Sequence, residues 1–160
     1  MVRFVPCDPE ETPASELLGE MAAELNAMYW SSSRLDLPKL EPFELRPPDG
    51  IYLVGWEEGE TAVAGGGLRH LDDGLAEVKR MFVRPAARSR GCAGALLAAL
   101  EGEARSLGYD RLRLDTGPKQ VHAIRLYAGA GFVPVEPYND NPFACFWGEK
   151  DLRRPLGPGL

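Results

Sequence analysis

The sequence of 160 residues has no long apolar run and few cysteines. No apolar stretch approaches the ~20 residues that a helix needs to cross a bilayer, and no charged-then-apolar leader opens the chain. The three cysteines, Cys7, Cys92 and Cys145, are far apart and have neither metal-binding nor redox spacing. These absences predict a cytoplasmic protein with reduced thiols, no bound metal and no membrane partner.

Basic residues are fewer than acidic ones, 18 against 24, which gives a net charge of −6 and a pI near 5.0. An acidic protein is a poor partner for nucleic acid, which is therefore not expected to bind. One segment departs from this balance, because five basic residues follow one another without an acid: Lys79, Arg80, Arg84, Arg88 and Arg90. A local cationic patch favours a small anionic ligand. A solvated charged face would explain some of these side chains but not the glycines beside them.

The length and the 44% hydrophobic content suit one globular domain with its own core. We place this single domain at residues 1–152. Residues 153–160 contain two prolines and two glycines and are predicted to form a flexible C-terminal tail.

Hydrophobic periodicity and turn residues predict three helices and seven strands. The helices are predicted at Leu17–Tyr29, Gly91–Leu107 and Gln120–Ala130. The strands are predicted at Val2–Val5, Ile51–Trp56, Thr61–Leu68, Leu75–Val83, Arg111–Asp115, Phe132–Val135 and Phe143–Lys150. The acidic, proline-containing segment Ser31–Gly50 is predicted to be a long loop with one helical turn.

The connections between these elements predict the sheet. Tight turns join the three strands between Ile51 and Val83, so these strands should be antiparallel. A helix then intervenes before the strand at Arg111, which should therefore lie parallel to the strand that ends at Val83. The sequence thus predicts an α/β (α+β) protein with a mixed, mostly antiparallel sheet and helices on both faces.

The most informative segment is the loop that follows Val83 and leads directly into a helix. The first turn of a helix carries unpaired N–H groups and the positive end of the dipole, so it attracts anions. Small residues at Gly91, Ala93 and Gly94 would let a phosphate approach the backbone. The arginines around them, Arg84, Arg88 and Arg90, should add mobile positive charge. No Gly-Lys pair exists for a P-loop, and the dinucleotide fingerprint is absent. We expect a pyrophosphate ligand.

Two blocks of the sequence resemble motifs of one family. Arg88-x-x-Gly91-x-Ala93 resembles the Gln/Arg-x-x-Gly-x-Gly/Ala motif with which GNAT acyltransferases grip the pyrophosphate of coenzyme A. The segment from Gln120 to Phe132 resembles the second GNAT block, Asn-x-x-Ala-x-x-Leu-Tyr-x-x-x-Gly-Phe, with Gln120 at the Asn position. The resemblance covers Ile51 to Leu152.

The resemblance implies the GNAT fold, with a sheet of six or seven strands, and acetyl-CoA as cofactor without a metal. It implies an N-acetyltransferase that acts on the amine of a small molecule by direct attack within a ternary complex. GNAT proteins are often dimers, so a homodimer is also implied. Two alternatives stay open: a non-catalytic acyl-CoA-binding module, and an enzyme that acetylates protein N-termini or lysines.

The cofactor-binding residues implied by the resemblance lie in the strand, in the loop and in the second block. They are Met81, Phe82, Val83, Arg88, Ser89, Arg90, Gly91, Cys92, Ala93, Gly94, Gln120 and Tyr127. The strand should contribute backbone, with the N–H of Met81 or Phe82 polarising the thioester carbonyl. Cys92 is interpreted as a small apolar filler.

Two residues are expected to carry the chemistry. By resemblance, Tyr127 lies near the coenzyme A sulfur and protonates the leaving thiolate, unless it is an ordinary core aromatic. Glu77 resembles the glutamate that some GNAT enzymes use as a general base for the amine. The alternatives for Glu77 are a surface carboxylate and an ion-pair partner.

Lys79 and Arg80 are candidate substrate-binding residues. They are adjacent in a strand, so they should point to opposite faces unless a bulge intervenes. A buried cation needs an anion, and a substrate carboxylate would serve. We therefore expect an acceptor with an amine and a carboxylate, such as an amino acid. The alternative is an internal ion pair with Glu77 or Asp115.

Overall fold

A computed structural model describes residues 1–29, 39–117 and 120–153 of the chain. These residues form a seven-stranded sheet in the order β1-β2-β3-β4-β5-β7-β6. The strands are β1 (Arg3–Pro6), β2 (Ile51–Glu57), β3 (Thr61–Asp72), β4 (Leu75–Val83), β5 (Arg111–Thr116), β6 (Val133–Pro134) and β7 (Phe146–Asp151). The helices are α1 (Ala14–Tyr29), α2 (Cys92–Ser106) and α3 (Val121–Gly129), and short 3₁₀ turns lie at Pro42–Leu45 and Pro85–Ala87.

The predicted sheet is confirmed. Among the pairings of the described strands, β4 with β5 is parallel and all others are antiparallel. The parallel pair arises where the chain leaves β4, forms α2 and returns in β5, a connection that a tight turn could not make.

Helices cover both faces of the sheet, as predicted. Leucines of α2, including Leu96 and Leu100, pack with Leu53 and Leu112 on one face, and α3 joins this cluster. On the other face α1 packs against β2 and β4 in a second buried cluster, which includes Leu17, Met21, Tyr52 and Phe82. The site described below is lined in part by Met21 and Leu25 of α1.

Two strand boundaries differ from the prediction by more than one residue. Strand β3 continues to Asp72 rather than ending at Leu68, because the tight turn at Asp73 and Gly74 keeps it paired with β4 as far as Leu75. The last strand begins at Phe146 rather than Phe143. The residues before it form turns, and the backbone N–H of Phe143 donates to the Asn141 side chain at 3.1 Å.

The glycine run 65–67 in β3 is explained by close neighbours on both faces. A Cβ at Gly65 would lie 2.2 Å from the Tyr52 hydroxyl oxygen, and one at Gly67 would lie 2.7 Å from Leu45 Cδ2. A Cβ at Gly66 would meet Met81 Cγ at 3.2 Å on the α2 face. The missing side chains therefore let bulky residues pack directly on the strand.

Parts of two predictions fall outside the described residues. The predicted tail at 153–160 lies there except for Arg153, and so does the part of the Ser31–Gly50 loop up to residue 38. The helical turn predicted in that loop is found at Pro42–Leu45. In the part of the chain that the structure describes, no helix combines the length and apolar character needed to span a bilayer.

Candidate active site

Strands β4 and β5 separate after a short paired stretch. They pair from Leu75–Glu77 with Arg111–Arg113, and within the described residues no pairing joins them beyond that point. On its other edge, β5 pairs with β7 along its whole length, from Arg111 to Thr116. Because backbone N–H and C=O groups need partners, the β5-side edge of β4 beyond Glu77 must bond to water or to an extended ligand.

A β-bulge at the start of this gap directs the side chains of β4. Gly67 pairs with Lys79 and Gly65 pairs with Phe82, so two residues of β4, Arg80 and Met81, oppose the single residue between those glycines. Arg80 has a φ of 59°, in the left-handed region. The bulge interrupts the alternation, and both Lys79 and Arg80 line the cleft.

The cleft lies between the separated strands and receives residues from several elements. It is lined by Val78, Lys79, Arg80 and Met81 of β4, by Asp115, Thr116 and Gly117 at the end of β5, by Gln120 and Tyr127, by Met21 and Leu25 of α1, and by Asn141 and Phe143. Apolar, cationic and anionic groups thus meet in one place.

The predicted phosphate loop ends in an open helix N-terminus. Helix α2 begins at Cys92, and Gly91 is its N-cap residue with a φ of 78°. No side chain caps this end. A Cβ at Gly91 would meet nothing within 4 Å, and one at Gly94 would meet only Leu126 Cδ1, at 3.7 Å. The first-turn N–H groups are therefore accessible to an anion, and the site fits a pyrophosphate.

The arginines near this loop each form an ion pair, a feature that the sequence did not predict. Each makes an ion pair with an acid from α1 or β2: Arg84 with Glu20 at 2.6 Å, Arg88 with Glu24 at 2.5 Å and Arg90 with Glu57 at 2.5 Å. The Arg88 guanidinium also donates to the Val83 carbonyl and lies 5.6 Å from the Phe82 ring centroid. The anion site therefore depends mainly on backbone N–H groups and the helix dipole.

Glu77 is fully buried and has three donors around its carboxylate. Arg69 Nε donates to Oε1 at 2.7 Å and the Tyr138 hydroxyl donates to Oε2 at 2.6 Å. Lys79 Nζ lies 3.3 Å from Oε2. The alternative of a surface carboxylate is therefore wrong, and an ion-pair partner is what the structure contains. The role of Glu77 as general base stays a prediction.

Glu77 belongs to a row of alternating charges that crosses four strands. Arg69 of β3 pairs in register with Glu77, Glu77 with Arg113 of β5, and Arg113 with Glu149 of β7. Arg113 Nε donates to Glu149 at 2.8 Å. Tyr138 contacts two members of this row, since its hydroxyl bonds to Glu77 and its ring centroid lies 5.2 Å from Arg113 Cζ.

Sequence reasoning missed Tyr138 and Asn139, which lie between β6 and β7 and meet the site only in three dimensions. Asn139 Nδ2 donates to Asp115 Oδ2 at 2.6 Å, and Trp147 Nε1 donates to Asn139 Oδ1 at 2.9 Å. These bonds fix the loop over the cleft. A loop rich in Pro, Asn and Asp has no periodicity, so no local signal could have identified these contacts.

Tyr127 lies in the cleft with 7% of its surface exposed. Its hydroxyl lies 3.9 Å from Met81 Sδ, and its ring packs edge-on against Phe132. Burial, and then the negative charge of Asp115, raise the pKa of Tyr127 to about 12. The phenol therefore keeps its proton at neutral pH and can donate it.

The remaining predicted residues have clear places. Gln120 is the N-cap residue of α3, lines the cleft, and accepts a hydrogen bond from Gly117 N–H at 3.1 Å. Cys92 is buried, and this burial raises the pKa of its thiol, as suits a filler.

Lys79 and Arg80 differ in their surroundings. Lys79 is held between two carboxylates, 3.3 Å from Glu77 and 3.9 Å from Asp115, so the internal ion pair describes it. Burial lowers the pKa of Arg80, while the charges of Asp115 and Glu77 act in the opposite direction. Arg80 is thus a partly buried cation on the cleft wall.

Comparison with known proteins agrees with this geometry. The model of the acetyltransferase (GNAT) family matches residues 18–132. The chain belongs to the GNAT acetyltransferase family. It is 34% identical to an IAA acetyltransferase of Azospirillum brasilense over 92% of this chain and 94% of that protein. The GNAT fold and the N-acetyltransferase class are therefore established for it.

Solved structures share the fold. A proposed acyl-CoA N-acyltransferase from Klebsiella pneumoniae is 28% identical and superimposes with a TM-score of 0.76, over 95% of this chain and 98% of that one. A proposed acetyltransferase from Salmonella typhimurium, solved with its cofactor acetyl-CoA, superimposes with a TM-score of 0.64 at 16% identity, over 99% of this chain and 98% of that one. The GNAT family uses acetyl-CoA.

Proposed function

We propose that this GNAT enzyme transfers the acetyl group of acetyl-CoA to the amine of a small molecule, with an amino acid as the acceptor class, by direct attack in a ternary complex. Two observations carry this proposal: the gap between β4 and β5, and the open N-terminus of α2, the helix that follows β4 in the chain. An extended donor with a pyrophosphate at one end matches both features.

The donor is proposed to lie along the free edge of β4. Backbone groups of Met81, Phe82 and Val83 would bond to its amides, and the first turn of α2 around Gly91 would bind its pyrophosphate. Arg88 would contribute by exchanging Glu24 for a phosphate oxygen. Acetyl-CoA supplies the activated acyl carbon, and a backbone N–H of β4 is proposed to stabilise the developing negative charge on its carbonyl oxygen.

Tyr127 is proposed as the acid. The acceptor attacks as the neutral amine, after its ammonium has released a proton to solvent. As its nitrogen forms a bond to the acyl carbon, the carbon–sulfur bond breaks and the sulfur takes the phenolic proton of Tyr127. The proton that the acylated nitrogen then loses restores the phenol. The position of Tyr127 on the cleft wall supports this role, and its phenol is protonated at neutral pH. Glu77, with its three donors, is proposed to act on the amine side only through the residues that it holds.

The variant Tyr127→Phe tests whether Tyr127 is the general acid. The variant keeps the ring packing but removes the proton, so kcat should fall roughly 10²–10⁴-fold while the Kd of acetyl-CoA stays unchanged. Tyr109→Phe is the matched control, because its hydroxyl donates to the Asp49 carbonyl at 2.6 Å and does not line the cleft. An unchanged kcat in Tyr127→Phe would remove Tyr127 from the chemistry.

The acceptor class is supported by the cleft, which contains both the cation of Arg80 and the anion of Asp115. The name of the Azospirillum relative, an IAA acetyltransferase, supports a small-molecule acceptor. Coenzyme A release should be measured with amino acids, their decarboxylated amines, polyamines and aminoglycosides. We expect a higher kcat/KM for an amino acid than for its decarboxylated amine. Equal values would exclude recognition of a carboxylate, and acetylation of peptides alone would favour a protein acetyltransferase.

A further inference from the structure

Asp115 is the carboxylate that faces the acetyl-transfer cleft. It stands near the end of β5, beyond the last residue that pairs with β4, and it lines the cleft together with Arg80 and Tyr127. Its side chain is only 9% exposed. A carboxylate with so little solvent around it needs partners that carry hydrogen-bond donors or positive charge.

The partners of Asp115 satisfy one of its oxygens. Asn139 donates to Oδ2 at 2.6 Å, and Trp147 in turn holds Asn139. On the other side, Lys79 Nζ lies 3.9 Å from Oδ1, which is beyond hydrogen-bonding distance. Among the described residues, Asn139 alone donates a hydrogen bond to this carboxylate. Oδ1 therefore has the positive charges of Lys79 and Arg80 nearby but keeps capacity for a hydrogen-bond donor.

Glu77 has no such capacity for a further hydrogen-bond donor. It is 0% exposed, and Arg69, Tyr138 and Lys79 surround both of its oxygens. Lys79 lies closer to Glu77 than to Asp115, so Glu77 draws that ammonium away from Asp115 Oδ1. An incoming cation can thus reach Asp115 but not Glu77.

We propose that Asp115 binds the ammonium group of the acceptor and orients its nitrogen beside Tyr127. This assignment rests on the proposed function, since it names the residue that selects a cationic acceptor at the same site. Asn139 is a positioning residue that holds the carboxylate in place. Lys79 competes with the acceptor for the same oxygen.

The experiment measures binding of amines to the coenzyme A complex of the full chain by calorimetry, without turnover. The probes are an amino acid, its decarboxylated amine, spermidine and an aminoglycoside. Asp115→Asn keeps an oxygen near Asn139 but removes the charge. Because hydrogen bonds to charged groups are the stronger ones, the amine that binds best to the wild type should bind roughly 10–100-fold more weakly. The Kd of coenzyme A should not change.

Glu149→Gln is the matched control, since it neutralises a carboxylate on the same sheet face that does not line the cleft. It should leave amine binding unchanged. Lys79→Met should change the affinity for amines in the opposite direction. Because the variant lacks the competing cation, it should bind the decarboxylated amine severalfold more tightly. This second variant keeps the test valid if Asp115→Asn does not fold.

The outcomes distinguish the assignment of Asp115 from the proposed transfer reaction. Three results would show that Asp115 does not hold the ammonium. Either no amine binds to the wild type, or Asp115→Asn binds amines as well as the wild type does. The third is that Lys79→Met binds the decarboxylated amine more weakly than the wild type does. If amines bind through Asp115 but none of them releases coenzyme A from acetyl-CoA, the assignment of Asp115 stands and the proposed transfer reaction fails.

Discussion

At the scale of single residues, the glycines of β3 show how tightly the sheet is packed under the site. Tyr52 is almost fully buried, and its hydroxyl occupies the space that a side chain at Gly65 would need. Gly65 in turn pairs with Phe82, immediately after the bulge that carries Arg80 into the cleft. Because Gly65 has no side chain, Tyr52 can occupy the core beside it, next to the point where the bulge begins.

Gly65→Ala should destabilise the protein by roughly 1–3 kcal/mol, because overpacking a rigid core forces neighbours out of their rotamers. The added Cβ would lie 2.2 Å from the Tyr52 oxygen and 2.8 Å from its Cζ. Urea denaturation gives the free energy of unfolding. In Gly102→Ala, the control within α2, the new Cβ meets nothing within 4 Å, and stability should rise by about 0.5–1 kcal/mol. Equal effects of the two changes would contradict this account.

At the scale of elements, α1 holds the loop that precedes α2. Glu20 and Glu24 are one helical turn apart in α1, and they pair with Arg84 and Arg88 on either side of the 3₁₀ turn at Pro85–Ala87. The hydrogen bonds from Arg84, and then its positive charge, lower the pKa of Glu20 despite some burial. The helix therefore orders this loop but occupies arginines that could otherwise meet a phosphate.

Glu24→Gln should tighten binding of acetyl-CoA. The change removes a carboxylate that competes for Arg88 and repels the pyrophosphate, and since exposed ion pairs are weak, the gain should not exceed roughly fivefold in Kd. The dependence of Kd on salt should become steeper. Glu58→Gln makes the same charge change at an exposed residue outside this contact and should have a smaller effect. Weaker binding in Glu24→Gln would mean that Glu24 mainly positions Arg88.

At the scale of the whole molecule, buried phenols and acidic ion pairs limit stability at opposite ends of the pH range. Burial raises the pKa of Tyr52 and of Tyr138, and it raises the pKa of Tyr127 to about 12. At the acidic end, hydrogen bonds from Arg46 lower the pKa of Asp8, so its contribution is lost as the pH falls.

The alkaline limit follows from the sign of the tyrosine shifts. An unfolded tyrosine ionises at about pH 10. Below that pH both states are protonated and the stabilisation is complete. Above it, the unfolded chain loses protons that the fold retains, so the free energy of unfolding should fall from about pH 10 toward 12. Urea midpoints at pH 8, 10 and 11 measure this decline.

Tyr52→Phe should flatten that decline. The Tyr52 hydroxyl has no hydrogen-bond partner among the described residues, so its loss should not reduce stability at pH 8. Tyr109→Phe, the control, removes a hydroxyl that is bonded to the Asp49 carbonyl and should cost about 1 kcal/mol at pH 8. A decline as steep in Tyr52→Phe as in the wild type would exclude this phenol as a cause.

The sequence by itself determined the elements and the order of their connections, and it indicated the loop before α2 as the candidate phosphate site. Each of these depends on residues close together in the chain: periodicity for α2, a tight turn at Gly74, and the spacing of Arg88, Gly91 and Ala93. The second block from Gln120 to Phe132 was identifiable for the same reason. The fold class followed because short and long connections dictate antiparallel and parallel pairing.

Only the tertiary structure decided how charge is distributed around the site. Arg88 meets Glu24, 64 residues away, and Tyr138 meets Glu77, 61 residues away. No local pattern encodes such pairs, because they depend on where whole elements pack. For the same reason the bulge that brings Arg80 beside Asp115 arises from pairing with the glycines of β3. The sequence indicated that Lys79 and Arg80 each need an anion, and packing placed Lys79 between the carboxylates of Glu77 and Asp115.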